Sequence, residues 1–94
     1  MTTMDRVGAP LIWFLGQVYE KMSSPKNVAK PHWGDNTYAQ LLDRVYGELV
    51  ELEEAIQGGD PAKIISETCD VTAFMMMIAD NAKNARNIQA TRGE

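Results

Sequence analysis

The sequence predicts an all-α protein, a helical hairpin of bundle type completed by oligomerisation. Three observations predict it. Apolar residues recur at spacings of three and four in three segments, no stretch alternates apolar and polar residues as a strand would, and a tight Gly58-Gly59-Asp60 link joins two of the segments. Val7, Leu11, Leu15, Val18 and Met22 give a first helix over about residues 10–22, in which Pro10 is tolerated only near the first turn. Ser23, Ser24 and Pro25 stop it, and a polar loop carrying Lys26, Lys30, Pro31, His32, Trp33 and Gly34 runs to Asn36. Loops longer than about 12 residues are uncommon in compact domains and are often functional. Thr37 or Asn36 caps a second helix with the stripe Leu42, Val45, Leu49, Leu52 and Ile56, which Gly58 and Gly59 end. Asp60 then reads as an N-cap and Pro61 as the first position of a third helix. That helix runs through Ile64, Ile65, Thr68, Val71, Met75, Ile78 and Ala82 and frays before Arg92. The short link makes the second and third helices an antiparallel hairpin.

A chain of 94 residues accommodates one core, so residues 1–94 are expected to form a single helical domain. With 7% aromatic residues and 6 Met, that core must come from aliphatic and Met side chains, which argues against a sandwich or barrel. So small a domain gains by burying helix faces against a second copy, and a homodimer or homotetramer is expected. A net charge of −4 is the wrong sign for gripping phosphate backbones, so nucleic acid is not an expected partner. Nor is a membrane, because no uninterrupted apolar run is long enough to span one or, with a basic flank, to direct export. The single Cys69 cannot form an intrachain disulfide, and the cytoplasm is the default compartment.

The acidic residues carry the chemical signal. At roughly 100° per residue, Glu48 and Glu51 fall about 60° and 120° from Val45, at the border of the apolar stripe. Glu53 and Glu54 belong to the solvated side. Glu67 and Asp70 fall about 60° and 120° from Ile64 in the same way. Each is an i, i+3 pair, which stacks two carboxylates on one helix face, and an antiparallel hairpin brings the pairs face to face. Four converging carboxylates repel one another unless a cation lies among them. Oxygen ligands without Cys or His in register favour Mg²⁺, with Mn²⁺ as a possible substitute. Without such a cation, the same residues would simply meet solvent.

The segment from Leu41 to Asp80 resembles the MazG-like all-alpha nucleoside triphosphate pyrophosphohydrolases, and the preceding Lys30-Pro31-His32-Trp33 stretch is similar to that of small phage-type members. Their acidic motif is Glu-Glu-x-x-Glu followed after a spacer by Glu-x-x-Asp. Here it reads Gly47-Glu48-Leu49-Val50-Glu51 and Glu67-Thr68-Cys69-Asp70. The resemblance implies Mg²⁺-dependent cleavage of ribo- or deoxyribonucleoside triphosphates to the monophosphate and pyrophosphate. Glu48, Glu51, Glu67 and Asp70 would be the metal-binding and catalytic residues, and Glu51 would orient the attacking water. Gly47 stands where the family usually has its first Glu. A mid-helix glycine costs about 1 kcal/mol relative to alanine, and a close helix approach there would account for it.

Lys30 and His32 are candidates for phosphate oxygens, and Trp33 for stacking on a base or tucking onto the core. Asn81 lies beyond Asp70 on nearly the same helix face and is a candidate for phosphate or sugar, as is the flexible Lys83. Trp13 and Phe14 read as core or subunit contact, and Cys69 as packing. Met75, Met76 and Met77 cover too wide an arc to face one core, which points to burial by a partner subunit. The rival to an enzyme is a non-catalytic helical module that dimerises through this Met-rich face.

Overall fold

A computed structural model of the chain describes residues 1–86, and every regular element among them is helical. The chain divides into two compact units, Met1–Lys30 and the part from Pro31 onward. In the first, helix α1 spans Ala9–Met22, preceded by a π-helical turn over Met4–Gly8. The chain is thus helical well before the expected start at residue 10. Pro10 is second in α1, which directly follows the π-helical turn, and Ala9 before it stays helical. Val18 is buried, whereas Leu11, Ile12, Trp13, Leu15 and Tyr19 are exposed. Phe14 is half-buried beside Trp13.

The expected polar loop is more ordered than its composition suggests. Helix α2 spans Pro25–Val28, with Ser24 accepting from the Asn27 backbone and Asn27 Nδ2 donating to the Lys21 carbonyl at 2.8 Å. In the second unit a 3-10 turn over Trp33–Asp35 is capped by His32, whose Nδ1 accepts from Gly34 N at 2.9 Å.

Helices α3 (Tyr38–Gly58) and α4 (Pro61–Lys83) form the hairpin. Thr37 caps α3 through a reciprocal box: its hydroxyl accepts from Gln40 N at 3.0 Å and Gln40 Oε1 accepts from Thr37 N at 2.9 Å. Gly59 ends the helix at φ +78°, a left-handed conformation that favours glycine. Asp60 caps α4 by accepting from Ala62 N at 3.1 Å, with Pro61 first in the helix. The expected fraying towards Arg92 lies largely outside the described residues.

The two helices pack along each other, and the seam departs from the expected stripes. In α3 the buried positions are Leu41, Val45 and Ala55, with Glu48 and Leu52 half-buried between them, a run spaced by four, three, four and three. Leu42, Leu49 and Ile56, expected in the core, are exposed. The reason is that a seam between two helices is narrow, and α3 carries a second apolar face that α4 does not reach. In α4 Cys69, Val71, Ala73 and Asn81 are buried, while Met75 and Ala82, expected in the stripe, are exposed. Met76 and Met77 are half-buried. Across the seam the Arg44 guanidinium lies 5.0 Å from the centre of the Phe74 ring; within α4 the Thr68 and Thr72 hydroxyls donate to the carbonyls of Ile64 and Thr68.

Among the described residues no close helix approach accounts for Gly47, because a Cβ added there meets nothing within 4 Å beyond its own helix backbone. Gly47→Ala should therefore stabilise the chain by about 1 kcal/mol through helix propensity alone. Urea unfolding checks this, and a loss of stability would mean that something packs against that position.

Candidate functional site

Glu48 is the unusual member of the α3 seam. The run of inward positions brings its carboxyl between the helices, where it meets Glu67 and Asp70 one turn apart on α4. One carboxylate oxygen from each of the three lies within 4.8 Å of the others, and all three residues are half-buried. No N–H or hydroxyl of the described residues reaches the buried Oε2 of Glu48. Burial first, then the adjacent Glu51 carboxyl and the charges of Asp70 and Glu67, push the Glu48 carboxyl up from 4.5 to about 7.

The donor set fits a hard divalent cation. Oxygen ligands at about 2.0–2.6 Å from one ion can stand no farther apart than about 4.0–5.2 Å, and the three oxygens already lie close to that range. Glu51 stands outside this group of three. It is exposed, next to Glu48 on the solvent side.

The other candidates are not members of this cluster. Lys30 is exposed in the first unit. His32, Trp33, Asn81 and Lys83 gather at the C-terminal end of α4. His32 stacks on Trp33 with ring centres 4.3 Å apart, and the Trp33 indole N–H donates to Asp80 Oδ2 at 3.0 Å. Asp80 lies ten residues beyond Asp70, about 15 Å along the helix. Asn81 is fully buried: its Nδ2 donates to the Trp33 carbonyl at 3.2 Å and its Oδ1 accepts from Arg86 Nε at 2.9 Å. Lys83 is exposed and contributes with Arg86 and His32 to the field at Asp80. The Trp33 hydrogen bond, followed by those charges, holds the Asp80 carboxyl below its ordinary value despite some desolvation. Sequence reasoning missed Asp80 and Arg86. Their meeting depends on a left-handed turn at Ala85, φ +54°, which no glycine announces.

No family model matches the chain, and no solved structure matches it. Over 59 residues it is 34% identical to an uncharacterized protein of Archaeoglobus fulgidus, a match covering 63% of this chain and 62% of that protein. The chain thus spans under two thirds of that relative's length. No helix among the described residues is long and apolar enough to cross a membrane.

The Glu48 carboxyl makes stability depend on pH. A carboxyl whose folded pKa lies above its unfolded one favours the fold when protonated. That contribution is full below about pH 4.5 and is lost as pH rises through about 7. In the presence of a chelator, the melting temperature of the native chain should fall more steeply between about pH 5 and pH 8 than that of Glu48→Gln. Parallel profiles for the two proteins would contradict this account of the site.

Proposed function

We propose that the chain is a Mg²⁺-dependent nucleoside triphosphate pyrophosphohydrolase of the MazG-like all-alpha type, cleaving ribo- or deoxyribonucleotides between the α and β phosphates. The observation that carries the reading is the convergence of Glu48, Glu67 and Asp70 to within 4.8 Å across the hairpin, in the register of the acidic motif. These three residues would hold the cation, with Mn²⁺ as a substitute. When bound, the cation supplies Lewis-acid stabilisation of the negative charge on the triphosphate. Glu51, adjacent but exposed, accepts a proton from the water that attacks the α phosphorus as the bond to the bridging oxygen breaks and pyrophosphate leaves. The His32–Trp33 turn, with Lys83 near it, offers a stacking surface and positive charge for the rest of the nucleotide.

The fold is proposed to be completed by a second copy, as a homodimer or a homotetramer. Leu42, Leu49 and Ile56 recur every seven residues on the exposed side of α3, joined by Tyr46, and Met75 is exposed on α4. A contiguous apolar face of this kind is the sort a monomer rarely leaves in water. The same face supports the rival reading of a non-catalytic module assembling through helix contacts.

Incubation with a panel of ribo- and deoxyribonucleoside triphosphates and Mg²⁺ separates the two readings. Release of pyrophosphate, abolished in Glu48→Gln and Asp70→Asn while the helical signal persists, is the expected result. Full turnover in either variant would remove these carboxylates from the mechanism. Light scattering at micromolar concentration should return at least twice the 10.5 kDa of one chain. A single-chain mass independent of concentration would contradict the assembly.

A further inference from the structure

The C-terminal end of α4 holds a closed ring in which the hydrolytic reading gives Asp80, Asn81 and Arg86 no role. Trp33 is gripped at two points by consecutive residues of α4: Asp80 takes its indole N–H and Asn81 takes its carbonyl. Arg86 closes the ring, with Nε on Asn81 Oδ1 and the guanidinium on Asp80 Oδ2. The buried amide of Asn81 has one orientation that serves this ring, since the Trp33 carbonyl, which also accepts from Asn36 N at 2.9 Å, can only accept and Arg86 Nε can only donate.

Arg86 reaches this position because the chain reverses after α4. Asn84 Nδ2 donates to the carbonyl and Oδ1 of Asp80, Ala85 takes a left-handed conformation, and Arg86 N donates to the Asn81 carbonyl at 2.8 Å. The close approach also explains Gly34. A Cβ there would come within 3.0 Å of His32 Nδ1 and 3.2 Å of Arg86 Nε, so only glycine lets the guanidinium lie across the turn without displacement.

We propose that Asp80, Asn81 and Arg86 are positioning residues, a strap that fixes the His32–Trp33 turn against α4. The segment after α4 thereby governs a turn some fifty residues earlier in the chain. The strap acts through the turn, and its consequence for catalysis rests on the reading that the turn meets the nucleotide. Without Arg86, Asn81 Oδ1 loses that donor, the amide is free to rotate, and the Trp33 carbonyl keeps the Asn36 N–H of its own turn but loses its tie to α4.

The test uses the full chain carrying Trp13→Phe, which leaves Trp33 as its single tryptophan. Adding Arg86→Ala, or Asp80→Ala, should shift Trp33 emission to the red and raise its acrylamide quenching about twofold or more, with the helical circular dichroism unchanged. This arm needs no substrate, so it stands whether or not the hydrolase reading does. If nucleotide is turned over, the same variants should raise KM about tenfold and leave kcat nearly unchanged, a split that general loss of structure would not give. Arg86→Lys keeps the charge but not the fork, and should give an intermediate emission and quenching. Unchanged emission and quenching in folded Arg86→Ala would overturn the proposal. So would loss of the helical signal in both Arg86→Ala and Arg86→Lys, because the ring would then support the hairpin rather than the turn.

Discussion

Glu48 stands at a position of α3 where the seam with α4 would ordinarily take an apolar side chain, and the second unit is organised around that charge. Leu41, Val45, Leu52 and Ala55 share its face, and Glu67 and Asp70 meet it from α4. Burial and three neighbouring carboxylates oppose ionisation, which is why the carboxyl is pushed to about 7. Two agents relieve the conflict, a proton on Glu48 or a bound cation. Stability alone gives no reason for the arrangement, because buried charged clusters are often replaced by well-packed apolar residues without loss. A need to hold something positive does give one.

The hairpin supplies the precision this requires. Glu48 lies eleven residues before Gly59 and Asp70 eleven after it, so an antiparallel pair with a two-residue link sets them opposite each other. The left-handed Gly59 and the Asp60 cap leave the link little slack, and the Thr37–Gln40 box fixes where α3 begins. At the far end of α4 the Trp33 turn is fastened to Asp80 and Asn81. A carboxylate cluster in the seam and an aromatic turn near one end are thus carried by the same helix, about 15 Å apart.

The parts of this architecture that are local were legible in the sequence. Thr37, Gly59, Asp60 and Pro61 mark ends through short-range backbone chemistry, and the i, i+3 acidic pairs follow from helical geometry. Ser24-Pro25 carries the same cap signature as Asp60-Pro61, so α2 could have been read from it. The α3 stripe was less legible because two apolar faces overlap in one helix, and periodicity alone does not say which of Leu41 or Leu42 turns inward. The same ambiguity hid the inward placement of Glu48 and the exposed one of Glu51. The burial of Asn81 was beyond local reading, since its partners are Trp33, 48 residues away, and an arginine past the helix end.

Direct titration with Mn²⁺, followed by loss of the free-ion paramagnetic resonance signal, tests most directly whether the carboxylates form a cation site. The account predicts binding at one or two sites per chain that tightens as pH rises through about 7, where Glu48 gives up its proton, and that is lost in Glu48→Gln and Glu67→Gln. Binding that is independent of pH and unchanged in those variants, or no binding at millimolar Mn²⁺, would contradict it.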